Sequence, residues 1–130
     1  MKQLFSCLIA LTTLISGCGE SGPPSGTLTG VVTYKGKPLP TGTITFVPQA
    51  EETPFAYAEI EEDGSYVAET PDVGSSVEVG SYKVMISAVK DTGPESPVIP
   101  LIPDKYSSDQ SSGLSAEVSE GENTANFTLE

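Results

Sequence analysis

From Thr27 onward, apolar and polar residues alternate in short runs. A period of two marks strands with one buried face, because successive side chains leave a strand on opposite sides. Residues 27–34 (TLTGVVTY) put Leu28, Val32 and Tyr34 on one face with Gly30, and residues 43–47 put Ile44 and Phe46 together. Residues 56–60 give Ala56, Ala58 and Ile60; residues 65–69 give Tyr66 and Ala68. Residues 81–89 give Tyr82, Val84, Ile86 and Ala88. Residues 114–118 give Leu114, Ala116 and Val118, and residues 123–130 give Ala125, Phe127 and Leu129. Asp63-Gly64 is the best hairpin signal, since a tight turn needs the positive φ that glycine adopts cheaply. Seven short strands separated by turn residues predict an all-β domain, a seven-stranded antiparallel β-sandwich.

Residues 90–113 (KDTGPESPVIPLIPDKYSSDQSSG) do not alternate. So long a connection in a compact domain is usually functional, disordered or a missed element. Val98, Ile99, Leu101 and Ile102 are too apolar to be freely solvated, so residues 98–106 are expected to pack along a sandwich edge. Proline there blocks further strand pairing. The competing reading is a partner-binding loop built on Val98, Ile99, Leu101, Ile102 and Tyr106.

The amino-terminal end changes the picture. Lys2 precedes an apolar stretch, residues 4–15, which is too short for the roughly 20-residue helix that spans a bilayer. Ile15-Ser16-Gly17-Cys18 resembles the bacterial lipobox, an aliphatic residue and two small ones before a cysteine. That resemblance implies a signal peptide over residues 1–17, cleavage before Cys18 and a diacylglycerol thioether on its sulfur. An ordinary cleaved signal with a chance cysteine is the alternative. Residues 18–26 then form the lipidated cysteine and a flexible Gly/Ser/Pro tether, and residues 27–130 the folded domain. Cys7 falls in the discarded segment, so the mature chain has no partner for a disulfide. Gly19 after the cysteine, where inner-membrane retention often uses Asp, leans toward the outer membrane.

Charge narrows the partners. Of 130 residues, 18 are acidic and six are lysine, for a net charge of −12 with no histidine. Nucleic-acid binding, which needs clustered cations, is excluded. The expected contact with a membrane is the lipid on Cys18, and any protein partner is unspecified. Glu61, Glu62 and Asp63 cluster at a predicted hairpin tip but lack the alternating spacing of a calcium loop, leaving weak divalent cation binding as the most they offer. No cofactor is implied.

Candidate chemistry is sparse. With no histidine, no Gly-x-Ser-x-Gly elbow and no Ser-x-x-Lys stretch, catalytic residues are not identifiable. Tyr57 and Tyr106 are expected as exposed rings, whereas Tyr34, Tyr66 and Tyr82 fall on core faces. Val31, Val47, Val67, Met85 and Val89 point outward and would form an apolar patch if neighbouring strands gathered them.

Several stretches also carry a family resemblance: GVVTYKGKPLPTGTITFVP, the DGSY hairpin, VGSYKVMI, and the closing IPDKYSS…GLSAEVSEGENTANFTL. Together they resemble transthyretin-like (prealbumin-like), carboxypeptidase regulatory-like domains, and in particular the short planctomycete lipoproteins of that kind. The resemblance spans nearly all of residues 27–130 and implies a Greek-key sandwich. In the carboxypeptidases such a module sits beside a catalytic domain, a role not carried over here. The expectation is a non-enzymatic, lipid-anchored protein of the bacterial cell envelope, a binding or structural module facing the periplasm or the surface. The alternatives are a module that recruits a protein through residues 98–106 or the outer apolar positions, and an unrecognised envelope hydrolase.

Overall fold

The computed structural model describes residues 23–130, so the expected signal peptide and Cys18 lie outside the described residues. In chain order the strands are β1 (Ser25–Tyr34), β2 (Lys37–Pro38), β3 (Thr43–Pro48), β4 (Ala56–Glu59), β5 (Ser65–Val67) and β6 (Val77–Glu78). There follow β7 (Gly80–Ser87), β8 (Val89–Lys90), β9 (Ile99–Pro100), β10 (Leu114–Val118), β11 (Gly121–Thr124) and β12 (Phe127–Leu129). A short 3-10 helix, Asp104–Ser107, interrupts the long connection. No helix among the described residues is long and apolar enough to cross a membrane.

Two sheets form the sandwich. The larger is six-stranded with β1 as its spine. The smaller has the order β10-β7-β3-β4 and is antiparallel throughout. Each contributes its predicted inward row: Leu28, Val32, Tyr66 and Phe127 from one, Ile44, Phe46, Val84 and Ile86 from the other, all buried. Burying a side chain of that size contributes about 1.5–3 kcal/mol, so each member of this double row adds a substantial share to the energy of the core. Phe46, Tyr66 and Phe127 join the layers, with ring centroids 6.0–6.4 Å apart. Tyr82 donates its hydroxyl hydrogen to the Glu78 carbonyl, 2.7 Å away, pinning the turn into β7 in the manner of a tyrosine corner.

The larger sheet departs from a purely antiparallel sandwich. One flank of β1 pairs antiparallel with β6, β5 and β2, but the other pairs in parallel with β11 and β12. Periodicity tells which way side chains face, not which strand lies alongside or in which direction it runs. The register is the same in both parallel segments, Gly26 opposite Gly121 and Val32 opposite Phe127, so residues 121–129 are one track broken at Ala125–Asn126. At the break Val31 N–H bonds to the Asn126 side-chain oxygen at 2.9 Å. The Ala125 carbonyl turns under Gly30, where a Cβ would stand 1.8 Å from its oxygen. The buried Tyr66 hydroxyl donates to that same carbonyl.

One boundary moves and one hairpin is added. Ser25 and Gly26, expected in the tether, are strand residues: Gly26 is opposite both Val77 and Gly121, and Val79 N–H bonds to the Pro24 carbonyl at 2.9 Å. The unpredicted β1–β2 hairpin turns on Lys35 (φ 52) and Gly36 (φ 80), two positive values in succession as a tight hairpin requires.

Candidate functional site

The predicted 56–69 hairpin forms, yet its arms part in the middle. At the tip Glu61 N–H bonds to the Ser65 carbonyl at 2.8 Å, and Gly64 turns the chain at φ 85. At the base Tyr57 and Glu69 exchange both backbone hydrogen bonds, at 2.9 and 2.7 Å. Between these pins β4 pairs with β3 in the smaller sheet while β5 pairs with β1 in the larger one. One hairpin therefore links the two sheets, and its strands splay because each is drawn into a different ladder.

A groove of about 760 Å³ opens along this splay. Its floor is the outer face of the β1–β5 pair, where Val31 and Val67 are 39% and 51% exposed, flanked by Thr29. Its wall is the outward row of β4 and the hairpin, Tyr57, Glu59 and Glu61, closed at the base by Glu69. No cation lines it. The Glu69 carboxylate, by its charge and by hydrogen bonding to the phenol, raises the Tyr57 pKa, with burial and the Glu59 and Asp72 charges adding to it. The groove therefore offers an apolar strip, one ring and three carboxylates.

Main-chain geometry adds a second feature. Along a strand, N–H and C=O groups point alternately to the two sides. Tyr57 directs both of its groups at Glu69, and Ile60 N–H points the other way, at the Gly42 carbonyl. Glu59, two residues on from Tyr57, therefore faces the gap. On the opposite arm Ala68 N–H is bonded to the Leu28 carbonyl, so Val67 also faces the gap. No ladder joins β4 to β5 between the two pins.

The earlier candidates are scattered. Val31, Val67 and Tyr57 meet in the groove, but Val47 and Met85 lie on the smaller sheet and Val89 lies in β8, so the five outward apolar positions make no common patch. Of the proposed partner-binding residues, Val98 (56%) and Ile99 (48%) are exposed. Leu101 is half-buried against the core, its N–H bonded to the Ala88 carbonyl at 2.9 Å. Ile102 and Tyr106 are corrected: at 7% and 4% exposure they belong to the core and cannot receive a partner. The 3-10 helix turns Tyr106 inward, its hydroxyl accepts the Glu130 N–H at 3.0 Å, and the Lys105 ammonium sits 4.9 Å over its ring.

At the hairpin tip Asp63 accepts from both the hydroxyl and the N–H of Ser65, which holds its pKa below the usual carboxylate value. No group of three or more metal-binding side chains occurs among the described residues. Of the carboxylates lining the groove, Glu61 was read in the sequence only as part of the tip cluster and Glu59 and Glu69 were overlooked, although alternation through Tyr57, Glu59 and Glu61 places these three on one outward row.

No family model matches the chain, and no curated protein matches it. Among solved structures the chain is similar to a DUF3823 family protein from Parabacteroides merdae, with 14% identity and a TM-score of 0.45. The match covers 83% of this chain and 47% of that one, so the chain spans about half its length.

Proposed function

We propose that this chain is a lipid-anchored module of the bacterial envelope, a β-sandwich that binds rather than catalyses. The observation carrying this reading is the lipobox-like Ile15-Ser16-Gly17-Cys18, a few residues before the point where the sandwich grips the chain at Pro24. The resemblance of residues 27–130 to carboxypeptidase regulatory-like domains, modules that sit beside a catalytic domain, supports a non-enzymatic role.

The anchor can be weighed against the acidic surface. Residues 19–23 reach about 17 Å when extended, which keeps the gripped end of the domain near the bilayer. Glu78 and Glu122 lie at that end, opposite Ser25 and Thr27. Each charge near an anionic leaflet is worth about 1 kcal/mol, whereas each buried methylene contributes about 0.8 kcal/mol. Two acyl chains therefore outweigh several carboxylates, whose repulsion serves to lift the domain off the lipid.

Metabolic labelling with an alkynyl fatty acid in the producing cells tests the anchor. The label should reside on the mature protein, and Cys18→Ala should abolish it and release the chain from membranes. Label persisting in the Cys18→Ala variant overturns the reading.

A further inference from the structure

We infer that the splayed-hairpin groove binds an extended basic peptide segment, with lysine or arginine side chains against Glu59, Glu61 and Glu69 and an apolar side chain on the Val31–Val67 strip. The inference builds on the proposed binding role and names the ligand of that site.

Two independent features agree on such an occupant. The wall is of one charge, with no cation among the described residues that line it. A cationic ligand is attracted on approach, and in a groove with one low-dielectric wall that attraction is focused. The floor is apolar and exposed, so a bare ammonium or metal ion would leave Val31 and Val67 wet. Successive side chains of an extended peptide fall on opposite sides. One set can lie on the valine strip while the other turns to the glutamates.

The test uses the full chain purified in a zwitterionic detergent, titrated with a capped pentapeptide alternating lysine and valine. Controls are the same peptide with glutamate in place of lysine, and spermidine. Saturable binding of the lysine peptide with backbone amide shifts at Glu59 and Val67 is expected, with no binding of the glutamate peptide. Exposed ion pairs are individually weak, so Glu59→Gln, Glu61→Gln and Glu69→Gln combined should weaken binding about tenfold. The same charge change elsewhere, Glu117→Gln, Glu120→Gln and Glu122→Gln, should alter it less than about twofold. All six side chains are exposed, so neither triple variant disturbs the core.

Equal weakening by the two triple variants means attraction to net charge alone and overturns the site. Spermidine binding as tightly as the peptide overturns the peptide assignment, and absence of peptide binding overturns both. Labelling of Cys18 is read on the same protein and is unaffected by any of these outcomes, so failure of the groove and failure of the anchor are told apart.

Discussion

The β1–β5 pair has two faces made from the same few residues, and they obey different rules. Inward, Leu28, Gly30, Val32, Tyr66 and Ala68 meet the opposite sheet and the Ala125 carbonyl with no room to spare. Outward, Thr29, Val31, Ser65 and Val67 line a groove that is open to water. Packing fixes the identity of the inner residues, while only what comes to rest there constrains the outer ones. Substitutions of equal size on the two faces should therefore differ sharply in cost.

The harshest test is Gly30→Ala. The new methyl would overlap a backbone carbonyl that is itself held by Tyr66, so the whole 121–129 track must shift. A loss of about 3 kcal/mol or more is expected in chemical denaturation of the full chain. A loss under about 1 kcal/mol would mean that the inner face yields as easily as the outer one.

Next comes Tyr106→Ala, which asks whether the long connection belongs to the inner or the outer regime. Removing a large buried aromatic costs about 3 kcal/mol or more. The paired change Val98→Ser with Ile99→Ser, eight residues or fewer away in the same connection, should cost less than about 0.5 kcal/mol because both side chains are exposed. Comparable losses from the two variants would contradict the division of this segment at Leu101.

These contrasts show what the sequence could reveal. Alternation identified the inner face because one side chain in two must be dry, and Leu28, Val32, Tyr66 and Phe127 are buried as that rule requires. The same rule has no hold on residues 90–113. There a bend carries Ile102 inward and a single 3-10 turn carries Tyr106 inward, and inward residues set by such turns have no period of two to register. The groove was half legible: Tyr57, Val31 and Val67 were outward by phase. Their meeting depends on β4 and β5 joining different sheets, a fact of pairing that hydrophobic pattern does not encode. The parallel return of residues 121–129 beside β1 was hidden for the same reason.

Tyr66→Phe sharpens the inner face without removing its ring. It leaves the Ala125 carbonyl short of its donor, at a cost of about 1–2 kcal/mol. It also has a signature in pH. Burial raises the Tyr66 pKa in the folded state, whereas the unfolded phenol ionises near its ordinary value of 10.0. Above that pH unfolding releases a proton, so stability is full below about pH 10 and falls as pH rises toward the folded value. The phenylalanine variant should show a shallower alkaline decline, with a remainder from Tyr82, whose pKa burial also raises, and from Tyr57, whose pKa the Glu69 charge raises. Identical slopes in the two proteins would show that Tyr66 is not sealed in the interior.

The smallest effect is expected on the outer face, at Val67→Thr. Both side chains are β-branched and suit a strand equally in shape, so the backbone has no reason to move. Val67 is 51% exposed, and the added hydroxyl points into water and not into the core, so stability should change by no more than about 0.5 kcal/mol. The same hydroxyl wets the apolar strip, so the lysine–valine peptide should bind about twofold to fivefold more weakly, the result of losing part of one methylene-sized contact. Stability and binding then separate at one position, which they do at no inner residue. A Val67→Thr variant that unfolds readily would place this side chain in the packing after all, and one that binds unchanged would remove the valine strip from the recognition surface.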